Sequence, residues 1–150
     1  MSMDGTNSLD VAECWRLLEA QTIGRLATST DHGPRIWPVN YRVRERSLVF
    51  RSAPGSKVSD IGRDPRVAFE IDGLESGLHW SVIVLGTARV VDRDVPGPRT
   101  ERDELHPVAP GPKPVLFTID PESVSGLRFV SALEPSPLWN DRPVGWRAPA

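Results

Sequence analysis

Arg51, Ser52, Ser56 and Lys57 put two cations and two hydroxyls around one tight turn. Pro54 and Gly55 supply the turn chemistry, because proline presets φ and glycine tolerates positive φ. Phe50-Arg51-Ser52 reads as the end of a strand entering that turn. Lys57-Val58-Ser59-Asp60-Ile61-Gly62-Arg63 reads as a short helical segment stopped by Asp64-Pro65. A helix start presents unpaired backbone N–H groups and the positive end of a dipole, so an anion is favoured there. With Arg51, a serine hydroxyl and Lys57 beside it, the segment has most of what one phosphate group needs. A solvated strand-turn-helix with surface charges would have the same composition, and the context has to decide.

The elements around this segment read mainly as strands. Residues 8 to 20 form a predicted helix, with Ser8 as cap and Val11, Trp15 and Leu18 on one face. Gly24 to Ser29 is a first strand, turned by Asp31-His32-Gly33. Arg35 to Val43 is a second, with Trp37, Val39, Tyr41 and Val43 on one face and Ile36, Pro38 and Asn40 on the other. Pro38 removes a ladder donor, so that strand is expected at an edge or bulged there. Ser47 to Ser52 and Arg66 to Asp72 follow. His79 to Asp92 is the longest pattern, and Gly86 inside it suggests a bend or bulge. After a proline-rich connector over residues 93 to 114, Val115 to Asp120 and Val124 to Val130 read as two further strands. The tail from Ser131 to residue 150 is rich in proline but holds Trp139 and Trp146, which suit packing on a partner surface. About seven strands at hairpin spacing, with one leading helix, argue for a closed antiparallel barrel with helical decoration.

Composition narrows the function classes. A chain of 150 residues fits a single domain able to bury a real core. Its net charge of −2, with scattered basic residues, argues against a nucleic-acid partner. No run approaches the roughly 18 apolar residues of a membrane span, and the polar first residues lack a signal-peptide core. The single cysteine, Cys14, precludes an internal disulfide and suits a reducing cytoplasm. It reads as a packed thiol. His32, His79 and His106 lie too far apart in sequence to suggest a metal site, and no P-loop, dinucleotide fingerprint or nucleophile elbow occurs. No side chain stands out as a catalytic acid or base.

Five segments occur in an order that resembles a known family. They are Gly24-Arg25-Leu26-Ala27-Thr28, Pro38-Val39-Asn40-Tyr41, Phe50 to Lys57, Val67-Ala68-Phe69-Glu70 and Trp80 to Ala88. Together they resemble the pyridoxamine 5′-phosphate oxidase-like proteins, the FMN-binding split barrels, and in particular the small bacterial branch that includes nitroimidazole-resistance proteins. The resemblance runs from about Glu13 to Val91 and returns weakly from Phe117 to Arg128. It implies a mainly β fold: a six-stranded antiparallel split β-barrel with flanking helices, dimeric, with two flavins in grooves between subunits. The family's phosphate contacts fall on Arg51, Ser52, Ser56 and Lys57, and its flavin ring lies against Pro38, Val39 and Asn40. Trp80 and Ser81 match the position from which the longest strand approaches the other subunit's cofactor. A core or interface aromatic is the other reading of Trp80. The chain lacks the basic C-terminal substrate site of pyridoxamine oxidase itself, and Gly126-Leu127-Arg128 departs from the branch's late-strand pattern.

The expectation is therefore an FMN-dependent cytoplasmic oxidoreductase acting on a small molecule as a homodimer. Two alternatives differ in cofactor or in activity. The same barrel can hold coenzyme F420, for which Arg35, Arg42, Arg44, Arg46 and Lys57 would have to line a wider basic groove. It can also serve as a non-enzymatic flavin or haem carrier, or have lost its cofactor; His79, next to Trp80, reads as a strand-end residue, with a role beside a flavin or haem as the lesser alternative.

Overall fold

Alternating burial shows which face of each strand the barrel encloses. In β2 (Ile23–Thr30) the inward residues are Gly24, Leu26 and Thr28; in β3 (Gly33–Arg44) they include Val39 and Tyr41. In β4 (Ser47–Ser52) Leu48, Phe50 and Ser52 turn inward, and in β5 (Arg66–Glu75) Val67, Phe69 and Ile71 do. The computed structural model describes residues 6–93 and 115–130. Most of the proline-rich connector, and the tail with Trp139 and Trp146, lie outside the described residues.

The strands form an antiparallel ring. β7 (Val115–Phe129) pairs with β4, β4 with β3, β3 with β2, β2 with β5, β5 with β6 (Leu78–Arg93), and β6 returns to β7. Six strands thus close on one another, as the resemblance implied, and closure removes the exposed edges of an open sheet. A seventh, β1 (Thr6–Leu9), adds to β7 along Gly126 to Phe129. Inside the ring Tyr41 meets Phe69 edge-on at 4.7 Å, and Phe50 stacks on Phe117 at 5.1 Å. Burying a side chain of this size contributes roughly 1.5–3 kcal/mol, and the core holds about twenty apolar residues. Burial also pushes the Tyr41 phenol pKa up, and its hydroxyl donates to Leu18 O at 2.7 Å.

Three expectations are corrected. The predicted helix is shorter, α1 (Val11–Ala20), and Asp10 rather than Ser8 caps it, its carboxylate accepting from Glu13 N–H at 2.8 Å. Ser8 belongs to β1 instead, a strand too short to show a period. The two late strands around Pro121-Glu122-Ser123 are one. Leu85 pairs with Ser123 but Gly86 pairs with Pro121, so Glu122 is the extra residue of a bulge. A bulge tolerates a proline inside a strand because the ladder is already interrupted there. Gly86 is required at that point, since a Cβ would run into the Asp120 backbone carbonyl.

The second helix, α2 (Ser56–Arg63), leaves the end of β4 and packs against β2 and β6 with Asp60 and Ile61 buried. Among the described residues no helix is long and apolar enough to cross a membrane.

Candidate functional site

The barrel splits where β3 changes partner. Gly33 to Asn40 pair with β2, whereas Tyr41 to Arg44 pair with β4. On β4, Ser47 to Phe50 pair with β3, but Arg51 and Ser52 have register partners only on β7, at Leu116 and Val115. The two strands therefore part at Asn40 and Arg51. Pro38 lies on the stretch of β3 that pairs on one side, which is where a residue without an N–H is tolerated.

Arg51 and Ser52 do not act together. Period two sends their side chains to opposite faces of β4. Ser52 is buried on the inner face and its hydroxyl donates to the Ala53 carbonyl at 3.0 Å. Arg51 faces outward on the side shared by Val49, Arg42 and, two residues further along β3, Asn40. Its Nε is buried and has no hydrogen-bond partner, the one such side-chain nitrogen or oxygen among the described residues. A buried donor without an acceptor costs about 1–3 kcal/mol, more for a charged group. An oxygen of a bound anion would remove that cost.

The turn then delivers the helix. Gly55 adopts φ 152° and ψ −154°, a region essentially reserved for glycine, and opens α2 without a side-chain cap. The first N–H groups of α2 are thus left to a ligand or to water, beside exposed Ser56. Lys57 follows, half-buried, with Nζ 5.3 Å from the centre of the Trp37 ring. Phosphate chemistry suits this set: an orphaned guanidinium N–H, an uncapped helix start, a hydroxyl and an ammonium.

The remaining expected residues are spread more widely. Pro38 is exposed and Asn40 half-buried on the outer face, while Val39 belongs to the core. Trp80 is 3% exposed, its ring pressed so closely on Gly73 that a Cβ there would lie 2.5 Å away. Ser81 points the other way and helps line a cavity of about 300 Å³ between β1, β6 and β7. It pairs with Leu127, eleven residues along β7 from the Leu116 that pairs with Arg51. That separation is roughly 30 Å of strand. His79 stacks on Phe129 with ring centres 5.6 Å apart. Burial raises the pKa of the Cys14 thiol, and its position in the core is that of a packed residue.

One set of residues escaped the sequence reading. The Trp37 indole donates to Thr28 Oγ at 3.0 Å, Thr28 donates to Asp60 Oδ2 at 3.1 Å, and Arg35 Nη1 lies 3.6 Å from the same oxygen. The available signal was Asp60 standing three residues after Lys57, on one face of a helix.

Known proteins share this architecture. Residues 10–133 match the family model described as pyridoxamine 5′-phosphate oxidase. A solved Corynebacterium glutamicum protein, a candidate pyridoxamine 5′-phosphate oxidase, is 29% identical with a TM-score of 0.73, covering 83% of this chain and 98% of its own. An FAD-binding protein of Mycobacterium smegmatis is 31% identical with a TM-score of 0.62, covering 83% and 98%. An FAD-binding protein of Mesorhizobium loti is 30% identical with a TM-score of 0.69, covering 82% and 96%.

Proposed function

We propose that this chain, which belongs to the pyridoxamine 5′-phosphate oxidase family, is a flavin-dependent oxidoreductase that grips its cofactor by a phosphate where β3 and β4 part. The observation that carries this reading is the buried, unpartnered Nε of Arg51, on the strand end four residues before a helix cap, Gly55, that has no side-chain bond. Two similar proteins that bind FAD support a flavin as the ligand. When bound, a flavin supplies the electron or hydride transfer, and the protein supplies binding and orientation. Arg51 would donate to a phosphate oxygen from Nε, Ser56 and the first N–H groups of α2 would approach from the turn, and Lys57 would add charge. Asn40 and Pro38, on the same outer face as Arg51, would meet the ring system.

FMN is the flavin we favour, because these groups suit one phosphate. F420 fits less well. Of the five cations it would need, Arg35 faces Asp60, whereas Arg46 lies over the Trp15 ring at the other end of β3, roughly 30 Å away along the strand. The assembly we favour is a homodimer. The outer faces of β6 and β7 expose Ile83, Leu85, Leu127 and Phe129 side by side, and only a second copy could carry Ser81 to the Arg51 site of the first.

Purification under native conditions tests the cofactor. A yellow protein whose chromophore, released by heat, is identified as FMN supports this reading. A protein that stays colourless after incubation with FMN and FAD contradicts it, and a released F420 or haem would reassign the barrel.

A further inference from the structure

We infer that Asp60, acting through Thr28 and Trp37, is a positioning residue that sets Lys57 and the start of α2 for a phosphate; this rests on the flavin-phosphate reading above. Asp60 is 4% exposed, on the inner face of a short helix that has only one other buried residue, Ile61. A carboxylate in such a place is expensive unless paired, and an aliphatic side chain would fill the space without that cost. What the carboxylate adds is direction. Trp37 Nε1 is only a donor and Asp60 Oδ2 is the acceptor within reach, so the single hydroxyl proton of Thr28, a residue 2% exposed, points at Asp60. The order Trp37 to Thr28 to Asp60 is therefore fixed, with Arg35 Nη1 facing the same carboxylate oxygen.

The chain of contacts then closes on itself. Lys57 and Asp60 stand at i and i+3 of α2, on one side of the helix. Asp60 ties that side to β2 through Thr28, Thr28 orients the Trp37 indole, and the face of that indole lies under Lys57 Nζ at 5.3 Å. The helix and the ammonium it carries are thus held in register with β2 and β3, the strands beside the split. Thr28 and Asp60 would touch no ligand themselves. Their effect would pass through Lys57.

The test compares FMN with riboflavin, which differ only in the phosphate, by fluorescence titration of apo-protein. Thr28→Val removes the proton while keeping the volume, Thr28→Ser keeps it, and Asp60→Ala removes the acceptor. Thr28→Val and Asp60→Ala are expected to weaken FMN about five- to tenfold, the scale of one hydrogen bond, and to leave riboflavin affinity unchanged. Thr28→Ser should restore FMN binding, and Thr28→Val should add little in a Lys57→Ala background. An equal loss for both flavins, or an unchanged FMN affinity where Lys57→Ala lowers it, overturns the positioning role while leaving the phosphate site standing. Wild-type protein that binds riboflavin as tightly as FMN overturns the phosphate site itself, and this inference with it.

Discussion

Arg51 and Lys57 are both cations beside a turn, yet they carry different consequences. Lys57→Ala removes a positive charge from the proposed phosphate and should weaken FMN by about 10- to 100-fold, corresponding to about 1.5–3 kcal/mol for a charged hydrogen bond. Arg51→Lys keeps the charge but lacks the buried Nε–H, so it should fail to restore the affinity that Arg51→Ala loses; equilibrium titration of the two variants checks this. The residue types of this site were legible in the sequence. Their directions were only partly so: period two separates Ser52 from Arg51, but the Trp37–Thr28–Asp60 chain depends on strand register that no local pattern reveals. Acid stability is also decided by individual side chains. Hydrogen bonding from Arg16, opposed by desolvation and helped by Arg128, holds the Glu13 pKa near 2 against an ordinary 4.5, and Arg66 holds Asp64 near 2 against 3.8. Both pKa values are lower in the folded state than in the unfolded one. Their stabilisation is therefore complete above the ordinary values and is lost as pH falls toward about 2. Urea midpoints should fall between pH 5 and about pH 2, and less steeply in Arg128→Ala, which gives up part of that pairing.

Among the elements, the hairpins and the bulge are where the backbone is most constrained. Ser76 and Gly77 join β5 to β6 with φ of 52° and 78°, the two positive values of a type I′ turn. Ser76→Asn supplies the residue that turn prefers and should raise the melting temperature by about 2–4 °C; an unchanged or lower midpoint in calorimetry would count against the turn assignment. Gly86→Ala should act in the opposite sense. Its Cβ meets backbone at the β7 bulge, and the overpacking should cost about 1–3 kcal/mol, read as a lower urea midpoint. The strands were readable because alternation is a strong local signal, and β2 to β6 lie where it placed them. The cap of α1 was missed because Ser8 and Asp10 both qualify by type, and pairing of β1 with β7 removes the first of them. β7 was divided at Pro121 because a proline ordinarily ends a strand. Only its partner β6, shifted in register at Gly86, shows that the strand continues.

At the scale of the whole molecule, a closed antiparallel barrel followed from strand count and spacing and its six strands from the family resemblance, while the assembly followed from neither. Trp15 and Trp80 are buried within the chain and Trp37 is half-buried beneath Lys57, so these large rings make no case for a second copy. The case for a dimer rests instead on the apolar outer face of β6 and β7, where Ile83 is 43% and Leu127 45% exposed. Ile83→Lys, which places a charge in that face, should shift light scattering from twice 16.6 kDa toward a single chain; a wild-type protein already at one chain would remove the shared groove. The central claim is a phosphate grip on a flavin. Its most direct measurement is calorimetric titration of the wild-type apo-protein with FMN and with riboflavin at one ionic strength. The phosphate site predicts that FMN binds at least about tenfold more tightly, and equal affinities for the two would contradict it.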